Sequence, residues 1–265
     1  MKLGERYGPW ALILGASEGT GASFAHKLAA QGIHCILVAR REGPLQALAA
    51  EIHAAHGVDC LTLSVDLCAP RAVESIIASV GDREVGLLIT NAGADGNGSA
   101  FLETDVANWL NLINLNVLNT VRSCHHFAGL MRERGRGGII LVGSGACYGG
   151  MPGISVYAGS KAFVQCFAEG LWGELRPHGV DVLNLVLGRT DTPAHRELMA
   201  RLGVPMPDGL ASADEVAEVG LARLPHGPVH NWGLEDDQSG YASSSAAARR
   251  ERVLALSGAA PGSSK

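Results

Sequence analysis

Tyr157 and Lys161 stand four positions apart in YAGSK (157–161), a spacing that puts both side chains on one face of a helix. A phenol at its reference pKa of ~10 is a sluggish base near neutrality. An ammonium held beside it favours the phenolate and brings the group toward a range where it can exchange a proton with a substrate oxygen. Alone, a Y-x-x-x-K pair is common by chance and is as well explained by a surface helix. Ser144 lies thirteen residues upstream, just past the apolar run GGIILV (137–142). A hydroxyl at such a strand end can hold a substrate oxygen while Tyr157 moves the proton.

A second set of residues suits phosphate. GASEGTG (15–21) follows the apolar run WALIL (10–14) and opens a helical stretch. Gly15, Gly19 and Gly21 allow a sharp turn and a close approach to a pyrophosphate, which then faces a helix N-terminus with Ser17 and Thr20 beside it. A glycine triplet also serves as a plain turn, and its place directly after the first strand is what favours a dinucleotide. Nineteen residues beyond Gly21 come Arg40 and Arg41. At that position an acid holds the 2′-hydroxyl of NAD, whereas an arginine accommodates the 2′-phosphate of NADP. A guanidinium donates to phosphate through two N–H groups at once, so the pair predicts NADP. Glu18 cuts against a phosphate if it points inward. With such a cofactor, the positive oxidised nicotinamide would join Lys161 in favouring the phenolate, and Lys161 could donate to the ribose.

These positions can act together only if the chain brings them to one edge. Apolar runs at 10–14, 34–38, 60–65, 86–90, 137–142 and 180–186, with a weaker one at 228–232, alternate with helical stretches at 19–31, 42–56, 69–79, 104–134, 155–176 and 212–223. Near-continuous apolar strands separated by helices predict an α/β fold, a doubly wound parallel sheet of Rossmann type with helices on both faces. Ligands are expected at the carboxyl ends of its strands. Residues 188–211 interrupt the pattern and read as a substrate-binding loop.

The chain resembles the short-chain dehydrogenase/reductase family over roughly residues 8–225. The resemblance rests on GASEGTG at 15–21, Asp66-Leu67, NAG at 91–93, Asn116, Ser144 and YAGSK at 157–161, six matches in order. It implies hydride transfer between a nicotinamide and a secondary alcohol or ketone, with Ser144, Tyr157, Lys161 and Asn116 as the catalytic set. In the family's pattern Asp66 and Leu67 meet the adenine. Asn91, with Ala92 and Gly93, secures the fourth strand beside the cofactor, and Asn116 holds a water in a proton relay through Lys161. Gly188, Thr190 and Thr192 would border the nicotinamide, although Leu187 replaces the usual proline before Gly188. The usual C-terminal Asp-Gly-Gly signature gives way to GPVHNWGLEDDQSGY (227–241), which puts the family's tetramer edge in doubt. The long helical stretches 104–134 and 155–176 are similar to those that pair across a two-fold axis in the family, implying a homodimer or homotetramer. YGPWALILGASEGTG and VARREGPL are similar to NADP-dependent hydroxysteroid dehydrogenases acting at position 7 of bile acids, which implies a steroid or other bulky apolar ketone. A ketoacyl-type reductase of a different small substrate is the alternative. A non-catalytic NADP-binding sensor would usually lose the tyrosine or the lysine, and both persist. Gly145, Ala146, Tyr148, Met151, His195 and Met199 are expected to face substrate, since Met and small residues make an adaptable apolar cleft. Met199 would equally well fill a helix–sheet interface.

Bulk properties narrow the setting. A chain of 265 residues, 47% hydrophobic, can bury one full core, and a single domain over 1–257 is expected, with 258–265 a tail of disordered composition. A net charge of −5 supplies no basic field for nucleic acid. No apolar stretch nears the ~20 residues that span a bilayer, and MKLGERYGPWALIL lacks the order of a signal peptide. Six cysteines without a C-x-x-C pair read as reduced thiols rather than a metal site. The expected location is the cytoplasm.

Overall fold

Seven parallel strands form one sheet in the order β3-β2-β1-β4-β5-β6-β9 in the computed structural model, which describes residues 3–93 and 98–232. The strands are β1 (Trp10–Leu14), β2 (His34–Ala39), β3 (Cys60–Ser64), β4 (Val85–Thr90), β5 (Gly137–Ser144), β6 (Val180–Leu187) and β9 (Val229–Trp232). Side chains alternate across a strand, so β1 sends Ala11 and Ile13 to one face and Leu12 and Leu14 to the other. The first face packs with Phe24 and Leu28 of α2 (Gly19–Ala29), Leu45 and Ile52 of α3 (Glu42–His56), and Val216 of α9 (Ala213–Arg223). The second packs with Ile76 of α4 (Ala72–Val80), Phe127 and Met131 of α6 (Asn119–Arg134), and Val164 of α7 (Ser155–Leu175). Each such side chain, fully buried, stabilises the fold by ~1.5–3 kcal/mol relative to exposure.

The chain runs outward from β1 to β3, then returns to β4 on the other side of β1. That reversal leaves a crevice outside the carboxyl ends of β1 and β4. Backbone bonds pin its walls: Gly15 N–H and Ala16 N–H donate to Val38, and Asn91 N–H and Ala92 N–H donate to Leu14, all at 2.8–3.0 Å.

Three local features differ from the expectations. The stretch 104–134 is not one regular helix: α5 (Val106–Ile113) passes through a π turn at Asn114–Leu118 into α6. Segment 188–211 carries structure of its own, with β7 (Thr190–Asp191) paired to β8 (Ala211–Ser212) and α8 (Pro193–Leu202) between them. At the opposite end of the sheet, a short α1 (Leu3–Tyr7) buries Tyr7, whose hydroxyl donates to Asp181 at 2.6 Å. The expected domain end at 257 and the tail 258–265 lie outside the described residues. Among the described residues, no helix is long and apolar enough to cross a membrane.

Candidate active site

The glycine turn is built for close approach. A Cβ at Gly21 would lie 2.0 Å from the carbonyl oxygen of Gly15, so only glycine lets α2 start this near β1. The side-chain amide of Asn91 donates to the same Gly15 carbonyl at 2.8 Å, tying the end of β4 to the turn. Past β2, Arg40 and Arg41 border the crevice, as does Glu18. Arg41 is not free there: its guanidinium donates to the Glu18 carboxylate.

The turn after β3 is held from two sides. Asp66 accepts from the Cys68 N–H at 3.0 Å, and Asn114 donates to the Cys68 carbonyl at 2.9 Å. Asn119 donates to the Leu67 carbonyl. The π turn begins at Asn114 and ends just before Asn119, and such turns are frequent at functional positions in helices.

Ser144 ends β5, and its oxygen accepts from Ala146 N–H at 3.3 Å. Tyr157 and Lys161 lie in the first turns of α7, with the Lys161 ammonium 5.7 Å from the centre of the Tyr157 ring. Lys161 is only 5% exposed and donates to the Val142 carbonyl at 2.8 Å. Burial lowers its pKa to about 8, with a smaller opposing pull from Cys147. Asn116, also buried, donates to Ser160 Oγ at 2.8 Å, and Ser160 in turn donates to the Tyr157 carbonyl at 2.7 Å. The Asn116 side-chain oxygen has no hydrogen-bond partner.

That orphaned acceptor and the ammonium converge on one point. A Cβ added at Gly93 would come within 2.6 Å of Asn116 Oδ1 and 3.2 Å of Lys161 Nζ. With the acceptor and the ammonium packed this close behind Gly93, a side chain at that position has no room. The Thr190 hydroxyl, buried at the far wall, also lacks a partner. The enclosing cleft holds about 1170 Å³, above the ~300–1,000 Å³ of ordinary small-molecule pockets. The residues therefore fit an extended dinucleotide.

The cleft gathers Gly15, Ser17, Gly19, Thr20, Arg40, Arg41, Asp66, Leu67, Asn91, Ala92, Gly93, Ser144, Tyr157, Lys161, Gly188, Thr190, Thr192 and His195. Gly21 and Asn116 stand behind its wall. Of the residues expected to face substrate, His195 alone lines this cleft. Gly145, Ala146 and Tyr148 form a 3₁₀ turn after Ser144, and Tyr148 donates to Asn231 of β9 at 2.5 Å. Met151 and Met199 are half-buried outside the lining. His195 Nδ1 lies 3.0 Å from the Thr190 carbonyl. A carbonyl only accepts, so this nitrogen carries the proton and Nε2 of the neutral ring is the acceptor. Thr192 caps α8 by accepting from His195 N–H at 3.2 Å.

Sequence reasoning missed Asn108, Asn111, Leu112 and Leu115, which also line the cleft, and the anchoring asparagines 114 and 119. Their signal is the run NLINLNVLN (111–119), where asparagine recurs too often for a merely amphipathic helix.

A glycine turn at the switch point of a parallel sheet, with a serine at the end of β5 and a tyrosine and lysine at the start of α7, defines an oxidoreductase site working with a nicotinamide dinucleotide. The short chain dehydrogenase model matches residues 9–202. A 7β-hydroxysteroid dehydrogenase of Collinsella aerofaciens is 34% identical over 194 residues, 73% of each chain. A very-long-chain 3-oxoacyl-CoA reductase of Meyerozyma guilliermondii is 37% identical over 194 residues, which cover 68% of this chain and 56% of that longer one. Among solved structures, one from a study of 7β-hydroxysteroid dehydrogenase stereoselectivity superposes with a TM-score of 0.85 at 28% identity, covering 97% of this chain and 99% of the other. A short-chain dehydrogenase from Sphingobium yanoikuyae in complex with NADPH gives 0.77 at 28% identity, covering 97% and 96%. The chain belongs to the short-chain dehydrogenase family. It is accordingly an oxidoreductase that uses NAD(P) and acts between CH–OH groups and ketones.

Proposed function

We propose that the protein is an NADP-dependent reductase or dehydrogenase of a bulky apolar secondary alcohol or ketone, with a steroid as the leading substrate class. One observation carries the reading: Ser144, Tyr157 and Lys161 border the same cleft as Arg40 and Arg41. The bound dinucleotide supplies or accepts the hydride. Ser144 donates a hydrogen bond to the substrate oxygen, and Tyr157 gives or takes the proton there. The Lys161 ammonium favours the deprotonated phenol, and Asn116 presents its free acceptor on the Lys161 side. Gly145, Ala146, Tyr148, Met151, His195 and Met199 remain the proposed substrate contacts. Steroid is supported by the two 7β-hydroxysteroid dehydrogenase likenesses. A 3-oxoacyl thioester reductase is the second reading, supported by the fungal relative. Homodimer formation belongs to the same proposal, as does a cytoplasmic setting, which free thiols suit.

The test is oxidation of NADPH, followed by absorbance, with 7-oxosteroids, other bulky ketones and a 3-oxoacyl thioester. Turnover highest with 7-oxosteroids is expected. Turnover highest with the thioester would select the second reading, and tight NADPH binding without oxidation across the panel would make the protein a sensor.

A further inference from the structure

Glu18 is an unexpected neighbour for a phosphate. It occupies the capping position of α2 with an extended backbone, φ −164° and ψ 172°, yet its side chain bonds none of the helix N–H groups. It turns outward to the Arg41 guanidinium. Glu18 is 40% exposed and Arg41 58%, so no burial forces the pairing. Arg40 stands close enough to Cys68 for its charge to act on that thiol. All three charged groups border the cleft.

Two kinds of adenosine ribose would meet this trio differently. A 2′-phosphate has to draw Arg41 away from Glu18, or share it, and then lie beside a carboxylate of its own sign. A 2′-hydroxyl meets no such repulsion and can donate to the same carboxylate. We infer that Glu18 is a specificity-determining residue that holds down the preference for NADPH over NADH, so that the enzyme binds both. The inference rests on the reading that Arg40 and Arg41 face the 2′ position. An exposed ion pair is weak, so an arriving phosphate can break it, and the penalty is about tenfold in affinity rather than exclusion.

Calorimetry with adenosine 2′,5′-bisphosphate and with AMP tests this without turnover, on the parent, Glu18→Gln, Arg41→Ala and the Arg40→Ala/Arg41→Ala double variant. Glu18→Gln should bind the bisphosphate about tenfold more tightly, with AMP within about twofold of the parent. Unchanged AMP binding also shows that the glycine turn is intact. The same variant should raise the ratio of NADH to NADPH dissociation constants by a similar factor. If Glu18→Gln leaves the bisphosphate unchanged or loosens it while Arg41→Ala weakens it, the carboxylate does not oppose the phosphate. The inference then falls and the NADP reading stands. If the double arginine variant binds the bisphosphate as the parent does, the NADP reading falls and takes the inference with it.

Discussion

Lys161 carries opposing demands. Its ammonium is needed beside Tyr157, yet the site that places it there is dry enough to bring its pKa from 10.5 to about 8. Below pH 8 the group is charged in both folded and unfolded states, and burying the charge costs stability. Between about 8 and 10.5 the unfolded chain holds the extra proton, so this group makes stability rise with pH through that window. Lys161→Met removes the charge at similar volume. At pH 7 the variant should be about 2 kcal/mol more stable to urea, the cost of burying the ammonium less the donor lost to Val142. The difference should shrink as pH is raised toward 10, and turnover should be lost. A variant less stable than the parent at pH 7 would mean that the hydrogen bond to Val142 outweighs the burial. Tyr157→Phe separates the roles differently: NADPH affinity should stay within a few-fold while turnover falls by at least ~10²-fold, the low end for a positioned acid–base. An active phenylalanine variant would remove Tyr157 from the proton transfer. Both residues were legible because their relation is local, four positions within one helix. The Glu18–Arg41 contact was not, since it joins residues 23 apart whose meeting depends on how β2 ends beside the glycine turn.

At the scale of elements, the strands were readable because each is a short apolar run and the sheet buries both its faces. The π turn was hidden, because leucines and asparagines are interspersed throughout NLINLNVLN (111–119), a run too uniform to show where the helical phase shifts. What it accomplishes is visible only in contacts: Asn114 and Asn119 reach the 67–68 carbonyls while Asn116, between them, faces Ser160. Segment 188–211 held a readable helix, with Thr192 at its cap, Pro193 at its first position and Gly203 past its end. The surrounding Gly and Pro concealed it. Asn119 tests the bracing role. Asn119→Leu leaves the Leu67 carbonyl without its donor, which should cost about 1–3 kcal/mol of stability. It should also weaken NADPH several-fold, because the turn bearing Asp66 loosens, with little change in turnover at saturating cofactor. Loss of turnover with unchanged affinity would show that the π turn serves the reacting centre instead.

At the scale of the whole molecule, an apolar stripe among the described residues is left in water. Leu102, Val106 and Leu110 recur every four residues along the approach to α5 and one face of it, and are 90%, 63% and 59% exposed. Ile113 and, at the end of the π turn, Leu118 are exposed too, as is Phe163 of the neighbouring α7. Exposed apolar area of this kind suits the proposed association of two copies, since a two-fold axis lets one such surface cover itself. The polar residues of α5 meanwhile turn toward the cleft, where Asn108 and Asn111 are part of the lining, so one short helix serves the cofactor on one side and the proposed partner copy on the other. Sedimentation should find the parent as a dimer. Val106→Glu/Leu110→Glu, which places two charges on the exposed stripe, should shift it to monomer. Because α5 leads into the π turn that braces residues 66–68, the monomer should also bind NADPH more weakly than the dimer. A parent that sediments as a monomer at all concentrations, or a charged variant that stays dimeric, would place the association surface elsewhere.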